Sequence, residues 1–443
     1  MASGYILNTM HTFDIDMEHI TKIEGAASLK VKVEDGKVKD VNFITAEYKR
    51  FFTEAMKGKP VGAIPSHLAR ICGTCSNAHV LCAIEACEMA LGIEPTEQTK
   101  KLRALTMHGL NIRDHALHLY LFVIPDIYGV DAFLDLDEKD EAQHQILHDG
   151  FDIKSAGNFL ATLVAGRSVH ATYPVIGGFL KVPDASGIAE AIEKLEKIRP
   201  AALRAVEIFK NIPFHFDRKT HFMALIPKDS YGYLEGTIRT SQGEEYGEDK
   251  FRDHLEHVVL PYSQASAYTY DQEGYMVGAL ARINLAKDKL HPRTKESLGE
   301  VLDMFPSTDI YLNNLAQAIE ILHGVDESLD ILRSTKFVQE PLVKPTRKEG
   351  IGIGVIEAPR GTLYHKVSVG ADGNVLEGEV IVPTGQNQIN IERDTGRLVE
   401  QLLETHNKEQ IAMELEKLIR AYDPCMSCAA HFLKLEWQEE KKN

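Results

Sequence analysis

The sequence of 443 residues has no long apolar run, no surplus of positive charge and no recognisable export signal. A membrane-spanning helix needs roughly 18 or more consecutive apolar residues, so none is expected. The net charge of −16 argues against a nucleic acid or an anionic membrane surface as a partner. The first residues, MASGYILNTMHTFDIDMEHI, lack the basic and apolar regions of a signal peptide, which favours a cytoplasmic protein.

Cysteine is scarce, and its placement is informative. Six cysteines in a chain of this length exclude a disulfide-stabilised scaffold. Hydrophobic residues make up 44% of the chain and charged residues 26%, which is typical of a soluble globular protein with a large core. Four of the six cysteines are in Cys-x-x-Cys spacing, which in a reducing compartment indicates metal or redox chemistry.

The two Cys-x-x-Cys pairs lie near opposite ends of the chain. The first reads Arg70-Ile-Cys72-Gly-Thr-Cys75-Ser-Asn-Ala-His79, and the second reads Asp423-Pro-Cys425-Met-Ser-Cys428-Ala-Ala-His431. A site built from both pairs would bring the two ends of the fold together. Four thiolates suit nickel, iron, zinc or an iron–sulfur cluster. The spacing alone also allows two separate zinc or redox elements.

Hydrophobic periodicity predicts an α+β fold that is predominantly helical. We expect a central bundle of long helices, with β-hairpin elements near both ends and the metal site where the two motifs meet. The hairpins are predicted at 19–48, turning at Asp35-Gly36, and at 361–384, turning at Asp372-Gly373. Helices are predicted from a cap at Thr96 to about Val123, ended by Pro125; over 185–212, broken or kinked at Pro200; and over 398–420.

The flanks of the cysteine pairs carry a resemblance to a known family. The combination R-x-C-G-x-C-x-x-x-H and D-P-C-x-x-C-x-x-H resembles the signature of the large, catalytic subunit of nickel–iron hydrogenases. Other segments agree with it: Ile23-Glu24-Gly25, Asp114-His115-Ala-Leu-His118, Gly166-Arg167-Ser-Val-His170, Val277-Gly278-Ala-Leu-Ala-Arg282-Ile-Asn284, Glu357-Ala-Pro359-Arg360-Gly361 and Val382-Pro383-Thr384.

The resemblance covers nearly the whole chain, so residues 1–443 are expected to form one intertwined hydrogenase large-subunit unit. Its first parts are an N-terminal β hairpin over 19–48 and the first cysteine motif with a long helix over 62–125. A helical middle over 126–345 follows. The C-terminal part over 346–431 contains a β element, a helix and the second cysteine motif, and the tail is 432–443.

The resemblance implies a metal centre and a reaction. Cys72 and Cys425 would be terminal ligands of nickel, while Cys75 and Cys428 would bridge nickel to an iron carrying one carbon monoxide and two cyanides. Dihydrogen would be split heterolytically and reversibly. The base that takes the proton would be the Cys425 thiolate or the guanidine of Arg360.

The resemblance also implies roles for residues around the metals. Arg360, next to Pro359, and the Thr384 hydroxyl would donate hydrogen bonds to the cyanides. Without them the cyanides would be buried acceptors without donors. Asp114 and Asp423 would hold Arg360 in place. Glu24 would pass the proton outward, as a buried carboxyl with a raised pKa can. Taken alone, Arg360 reads as a surface residue in a Pro-Arg-Gly turn, and Glu24 as a solvated residue in a β-turn.

A third metal is less clearly encoded. The family places magnesium or a similar ion, alternatively iron, on the histidine that corresponds to His431. It usually supplies a glutamate where this chain has Thr53, and Glu54 is one position further on. The remaining histidines of the motifs and the other two cysteines read as core residues or as supports around the site: His79, His115, His118, His170, Cys82 and Cys87.

The resemblance finally implies partners. Twelve residues follow His431, and the family removes such a tail with a maturation protease after nickel insertion, so this sequence is either a precursor or matures without cleavage. Electrons would leave through the iron–sulfur cluster of a small subunit and further electron-transfer subunits, some carrying flavin. The length and the stretch 385–388 favour the branch that reduces NAD(P), coenzyme F₄₂₀ or ferredoxin, and a membrane-linked energy-converting type with its membrane parts on separate chains is also open. A non-catalytic zinc protein with a four-cysteine site is the alternative.

Overall fold

The computed structural model describes residues 12–48 and 50–430 of the chain. The α-helices of these segments are, in chain order, α1 Phe52–Met56, α2 Ile64–Leu68, α3 Ser76–Leu91, α4 Glu97–Ala116, α5 Ile124–Tyr128, α6 Glu141–Ala165, α7 Ala185–Lys210, α8 Ala279–Ala286, α9 Pro292–Leu298, α10 Leu312–Ser334, α11 Pro383–Leu402, α12 Lys408–Ala421 and α13 Met426–Ala429. Short 3-10 turns and one π-helical turn, Leu117–Val123, connect several of them.

The strands form several small sheets. They are β1 Phe13–Met17, β2 Ala27–Glu34, β3 Lys37–Thr45, β4 Pro174–Val175, β5 Gly178–Phe179, β6 His221–Ile226, β7 Thr237–Thr240, β8 Glu245–Gly247, β9 Leu255–Val259, β10 Ser266–Tyr270, β11 Tyr275–Met276, β12 Gly350–Ala358, β13 Gly361–Val369 and β14 Val375–Ile381. The sheet orders are β1-β2-β3, β4-β5, β11-β6-β7-β8, β10-β9 and β12-β13-β14.

Four long helices, α4, α6, α7 and α10, pack on one another to form the centre of the molecule. The side chains of Thr96, Asp140 and Asp184 accept backbone N–H groups at the starts of α4, α6 and α7, which satisfies donors that a helix leaves unpaired. None of the described helices is both long enough and apolar enough to cross a lipid bilayer.

Both predicted hairpins are present, and each is part of a larger sheet. The Asp35-Gly36 turn joins β2 to β3, and the segment 370–374 joins β13 to β14. Strand β1 pairs with the free edge of β2, and β12 pairs with β13. The predicted α+β class with a helical centre and β elements near both ends is confirmed.

Two predicted helix boundaries are wrong, and one predicted break is absent. Pro125 does not end the helix that begins after Thr96, because it occupies the first turn of α5, where a missing N–H costs nothing. The helix predicted over 185–212 is confirmed as α7, and Pro200 lies inside it without breaking it. The single helix expected over 398–420 is two helices, since α11 ends at Leu402 and the Asn407 side chain starts α12 by accepting the Gln410 N–H.

The expected helical middle, 126–345, also contains a region of strands. Strands β6 to β11 occupy residues 221–276 between α7 and α8. Their apolar side chains, among them Leu225, Tyr268 and Tyr275, form a second, smaller core cluster. Most of these strands are two to six residues long, so each one carries only a weak periodic signal.

Close packing of α3 on β12 places the first cysteine motif. Gly354 of β12 faces the helix, and a Cβ there would lie 2.3 Å from the carbonyl oxygen of Cys82. The absence of a side chain therefore lets α3 lie directly on the sheet. At the other side of the site, Glu24 and Cys425 form an isolated parallel β-bridge that joins the two ends of the chain.

Candidate metal centre

Four buried cysteines from the two ends of the chain converge. The sulfur atoms of Cys72, Cys75, Cys425 and Cys428 all lie within 4.8 Å of one another. Cys72 Sγ is 3.4 Å from Cys425 Sγ, and Cys75 Sγ is 3.1 Å from Cys428 Sγ, although 353 positions separate the members of each pair. The cluster is therefore one shared site and not two separate elements.

The first pair is held by backbone geometry and by one arginine. Cys72 follows a 3-10 turn in extended conformation, and Cys75 stands at the N-terminus of α3 and donates its N–H to Cys72 Sγ at 3.4 Å. The guanidinium of Arg113 donates to the carbonyl oxygens of Thr74 and, at 2.6 Å, Ser168. These contacts fix the loop between the two cysteines.

The second pair is held by residues from two distant segments. The Cys425 N–H donates to the Thr384 hydroxyl oxygen at 2.9 Å, at the start of α11. The Met426 N–H donates to the backbone oxygen of Glu24 at 3.0 Å. Because the Thr384 oxygen is the acceptor in its bond, its own proton remains available to another acceptor.

The electrostatics of the cluster fit a cation. Hydrogen bonds from the three neighbouring thiols lower the pKa of Cys72 well below its usual range. Burial raises the pKa of Cys425 and Cys428 well above theirs. Without a metal, the protein thus disfavours the deprotonation of all four cysteines. A soft divalent metal would displace the protons and stabilise the four thiolates.

Arg360 lies beside the cysteines between two carboxylates. Its Nη1 donates to Asp114 Oδ2 at 2.7 Å, and its Nε donates to Asp423 Oδ1 at 3.1 Å. Burial opposes the charge of Arg360, but Asp114 and Asp423 outweigh it and raise its pKa further. Nη2 is buried and makes no hydrogen bond within the described chain, although it is 2.9 Å from Asp423 Oδ1. Nη2 of Arg360 can therefore donate a hydrogen bond to a further acceptor.

Glu24 connects the cluster to the outside. Its Oε2 accepts from Cys425 Sγ at 3.0 Å and from the Ser427 N–H at 3.1 Å. Burial, followed by the negative charge of Cys72, raises the pKa of Glu24. Gly25 and Ala26, the next residues, are exposed. The carboxyl therefore lies between a buried thiol and the molecular surface.

Comparisons with known proteins agree with this geometry. The sequence profile described as nickel-dependent hydrogenase matches residues 50–163 and 233–431. The chain is 32% identical to sulfhydrogenase 1 subunit alpha of Pyrococcus furiosus over 95% of this chain and 98% of that protein. It is 26% identical to the NAD-reducing hydrogenase HoxS subunit beta of Cupriavidus necator, over 94% of each. The chain belongs to the nickel-dependent hydrogenase family.

A solved structure supports the fold of this hydrogenase subunit. The crystal structure of an NAD+-reducing NiFe hydrogenase in the H2-reduced state superposes with a TM-score of 0.85. It is 24% identical and covers 95% of this chain and 100% of that one. The chain thus has the fold of that hydrogenase chain, and its four-cysteine cluster is suited to the nickel on which the matched family depends.

The predicted site residues of the hydrogenase lie together, with one outside the described residues. The four cysteines, Glu24, Arg360, Asp114, Asp423 and Thr384 all contact the cluster or one another. Pro359 precedes Arg360, and its carbonyl oxygen accepts from Arg282 at 3.0 Å. His431 lies beyond the described segments. Thr53 is buried, while Glu54 is exposed and pairs with Lys57.

The other motif residues divide between the site and the core. His79 Nε2 is 3.6 Å from Cys428 Sγ, so this histidine borders the cluster. His115 pairs with Glu320, and His118 contacts Gln317 and the Arg420 carbonyl oxygen. His170 is half-buried, and the side chains of Cys82 and Cys87 are buried in the core as expected.

Three supporting residues were not foreseen. Gln317 donates to Asp423 Oδ2 at 3.0 Å, Arg113 fixes the first cysteine loop, and His365 contacts His79 at 3.1 Å. Gln317 and His365 lie on a buried helix and a buried strand that carry several other polar residues, so neither residue gives a specific signal in the sequence. Arg113 directly precedes Asp114, so its position next to a predicted site residue was the one available indication.

Proposed function

We propose that this hydrogenase subunit cleaves dihydrogen heterolytically and reversibly at a nickel–iron centre whose iron carries one carbon monoxide and two cyanides. The observation that carries the proposal is the convergence of four buried cysteines with a carboxyl on one thiol and a cationic guanidinium beside them. When bound, the metals would polarise dihydrogen and accept its two electrons. The protein would supply the ligands, the proton route and the hydrogen bonds.

The sulfur distances support an assignment of ligand roles. Cys75 and Cys428, the second residues of their motifs, form the closest pair at 3.1 Å, which suits two sulfurs shared between two metals. Cys72 and Cys425, 3.4 Å apart, would then be terminal ligands of nickel. Each motif would thus contribute one terminal and one bridging thiolate.

The proton route would begin at Cys425. Its sulfur would accept the proton released from dihydrogen, and Glu24 Oε2 lies 3.0 Å away in position to receive it. Burial raises the pKa of Glu24, which makes this carboxyl better able to hold the proton that it receives than a solvated glutamate would be. The exposed residues that follow Glu24 place the end of this route near solvent.

Arg360 and Thr384 would hold the diatomic ligands. The Nη2 group of Arg360 and the hydroxyl proton of Thr384 are the two donors that the described contacts leave available beside the cysteines. Two cyanides buried without donors would be costly. Asp114 and Asp423 would keep the guanidinium charged and fixed.

The surface nearest the first cysteine pair would receive a small subunit with an iron–sulfur cluster. Gly73, between the two cysteines, is exposed, and a Cβ there would meet open space. Arg70 and Arg167 are exposed around it, and burial, followed by the charges of these two arginines, lowers the pKa of the nearby His170. This basic rim would suit a partner that carries an anionic cluster.

Further subunits, some with flavin, would carry electrons to NAD(P), coenzyme F₄₂₀ or ferredoxin in the cytoplasm. The similarity to subunits named as parts of a sulfhydrogenase and of an NAD-reducing hydrogenase supports this branch. A third metal at His431, nickel-insertion proteins and a maturation protease complete the proposal.

An infrared spectrum with a metal assay tests the proposal on the purified complex. One carbonyl band with two cyanide bands, and nickel and iron in equal amounts on this subunit, are expected. About one zinc per chain with no such bands would instead establish the structural zinc alternative. Nickel without these bands would overturn the assignment of the diatomic ligands.

A further inference from the structure

A pair of buried histidines lies behind the second cysteine motif. His79 of α3 places Nε2 3.6 Å from Cys428 Sγ, and its Nδ1 is 3.1 Å from Nε2 of His365 on β13. The side chains are 1% and 0% exposed, so no bulk water competes for these contacts. The ring centroids are 5.3 Å apart and the ring planes are inclined by 24°, so the two rings lie edge to edge and nearly in one plane, as a hydrogen bond between their nitrogens requires. A row of contacts thus runs from the strand through the helix to a sulfur.

Only one proton fits between two ring nitrogens that are 3.1 Å apart. If the proton is on His365 Nε2, His79 Nδ1 is the acceptor and His79 carries its own proton on Nε2, toward the sulfur. If the proton is on His79 Nδ1, the neutral ring presents a bare Nε2 lone pair to Cys428. Both rings are buried away from water, and a neutral His79 ring must take one form or the other.

A metal-bound thiolate has no proton and only accepts hydrogen bonds. The first form meets this requirement, whereas the second sets a lone pair against a negatively charged sulfur. We propose that His365 is a positioning residue for the metal centre: its Nε2–H fixes His79 in the tautomer whose Nε2–H donates to the Cys428 thiolate. The inference rests on the proposed function, since it concerns the metal-bound form of Cys428.

The fold keeps this arrangement rigid. His365 is in the middle of β13, paired to Gly354 of β12 and Val380 of β14. Gly354 is also the residue on which α3 packs closely, so the helix that carries His79 is fixed against the sheet that carries His365. The hydrogen bond to Cys428 would draw electron density from the shared sulfur and therefore from both metals.

The test replaces His365 in the assembled, nickel-loaded complex and records its infrared spectrum. His365→Leu removes the donor, so His79 is free to turn its bare nitrogen to the sulfur. The more electron-rich thiolate should increase back-donation from iron and move the carbonyl band to lower wavenumber. His365→Gln places an amide N–H near the position of Nε2 and should restore the wild-type band.

His108→Leu is the matched control, because it removes another buried imidazole that packs against Tyr233 and His323 instead of the cysteines. Its carbonyl band should stay at the wild-type position. A His365→Leu band that is unchanged, or a His365→Gln band shifted as far as that of His365→Leu, would overturn the inference.

If His365→Leu fails to load nickel, the glutamine variant decides. A His365→Gln variant that loads nickel and has the wild-type carbonyl band would support the need for a donor at this position. Failure of both variants to load nickel would count against the inference. Absence of carbonyl and cyanide bands from the wild-type complex would refute the proposed function itself, so the two failures are distinguishable.

Discussion

At the scale of single residues, burial affects two ionisable side chains of the centre differently. It favours the uncharged form of Glu24, whereas Arg360 stays charged although it is buried. Burial raises the pKa of Glu24, whereas Asp114 and Asp423 keep Arg360 cationic in the same interior. One side chain can therefore exchange a proton while the other cannot. In the proposed mechanism, proton transfer and electrostatic support would thus fall to different residues beside the same cysteines.

Glu24→Gln should abolish hydrogen turnover while leaving the metals bound. The amide can still accept the Ser427 N–H but cannot carry a proton from Cys425, and loss of such a group typically costs about 10²–10⁴-fold in rate. Hydrogen-dependent dye reduction measures the rate, and the infrared bands report the metals. Glu47→Gln, at a neighbouring carboxyl that accepts the Ala26 N–H, should remain active. Full turnover in Glu24→Gln would contradict the route.

Thr384→Val should destabilise the second cysteine motif. The change leaves the buried Cys425 N–H without its acceptor, at a cost of about 1–3 kcal/mol, whereas Thr384→Ser keeps the oxygen and should lose much less. Denaturant unfolding of the metal-free subunit measures the difference. Equal stability of the valine and serine variants would show that this hydrogen bond is not needed.

At the scale of helices and strands, close backbone contact determines where the functional residues stand. α3 begins directly after Cys75 and carries His79. It can pack closely on β12 because Gly354 has no side chain. The same sheet leads through the turn after β12 to Arg360. One helix–sheet contact thus positions both Cys75 and the guanidinium of Arg360.

Gly354→Ala should disturb this contact. The added Cβ would lie 2.3 Å from the Cys82 carbonyl oxygen, which belongs to the backbone and cannot move away alone. Overpacking of this kind typically costs about 1–3 kcal/mol, measurable by thermal unfolding. Gly62→Ala is the control, because its Cβ meets open space and should leave stability unchanged or slightly higher. Similar stability of the two variants would refute the close approach.

At the scale of the whole molecule, the sequence indicates the centre better than it indicates the path of the chain. Short contiguous motifs identify the cysteine pairs, the acidic residue Asp423 beside the second pair, and the segment with Arg360. The strands over 221–276 do not, because each is short and their pairing is set by distant partners. Gln317 and His365 reach the site through tertiary packing of α10 and β13, which no local pattern records.

Charge reversal around Gly73 should weaken assembly with the small subunit. Arg70→Glu together with Arg167→Glu should lower the affinity and shift it strongly with salt, because electrostatic contacts at a rim are screened. Arg397→Glu, an exposed reversal on α11 roughly 20 Å along the helix from Thr384, should have little effect. Co-purification at several salt concentrations measures assembly. Unchanged assembly of the double variant would place the partner elsewhere.

The bridge between Glu24 and Cys425 has a consequence for biosynthesis. Two of the four cysteines emerge from the ribosome early and two very late, and the carboxyl that contacts Cys425 belongs to the segment between β1 and β2. No stretch of nascent chain short of Cys428 contains all four cysteines. With the proposed centre, nickel would therefore find its complete site only near the end of translation, and the early pair would have to stay reduced until then.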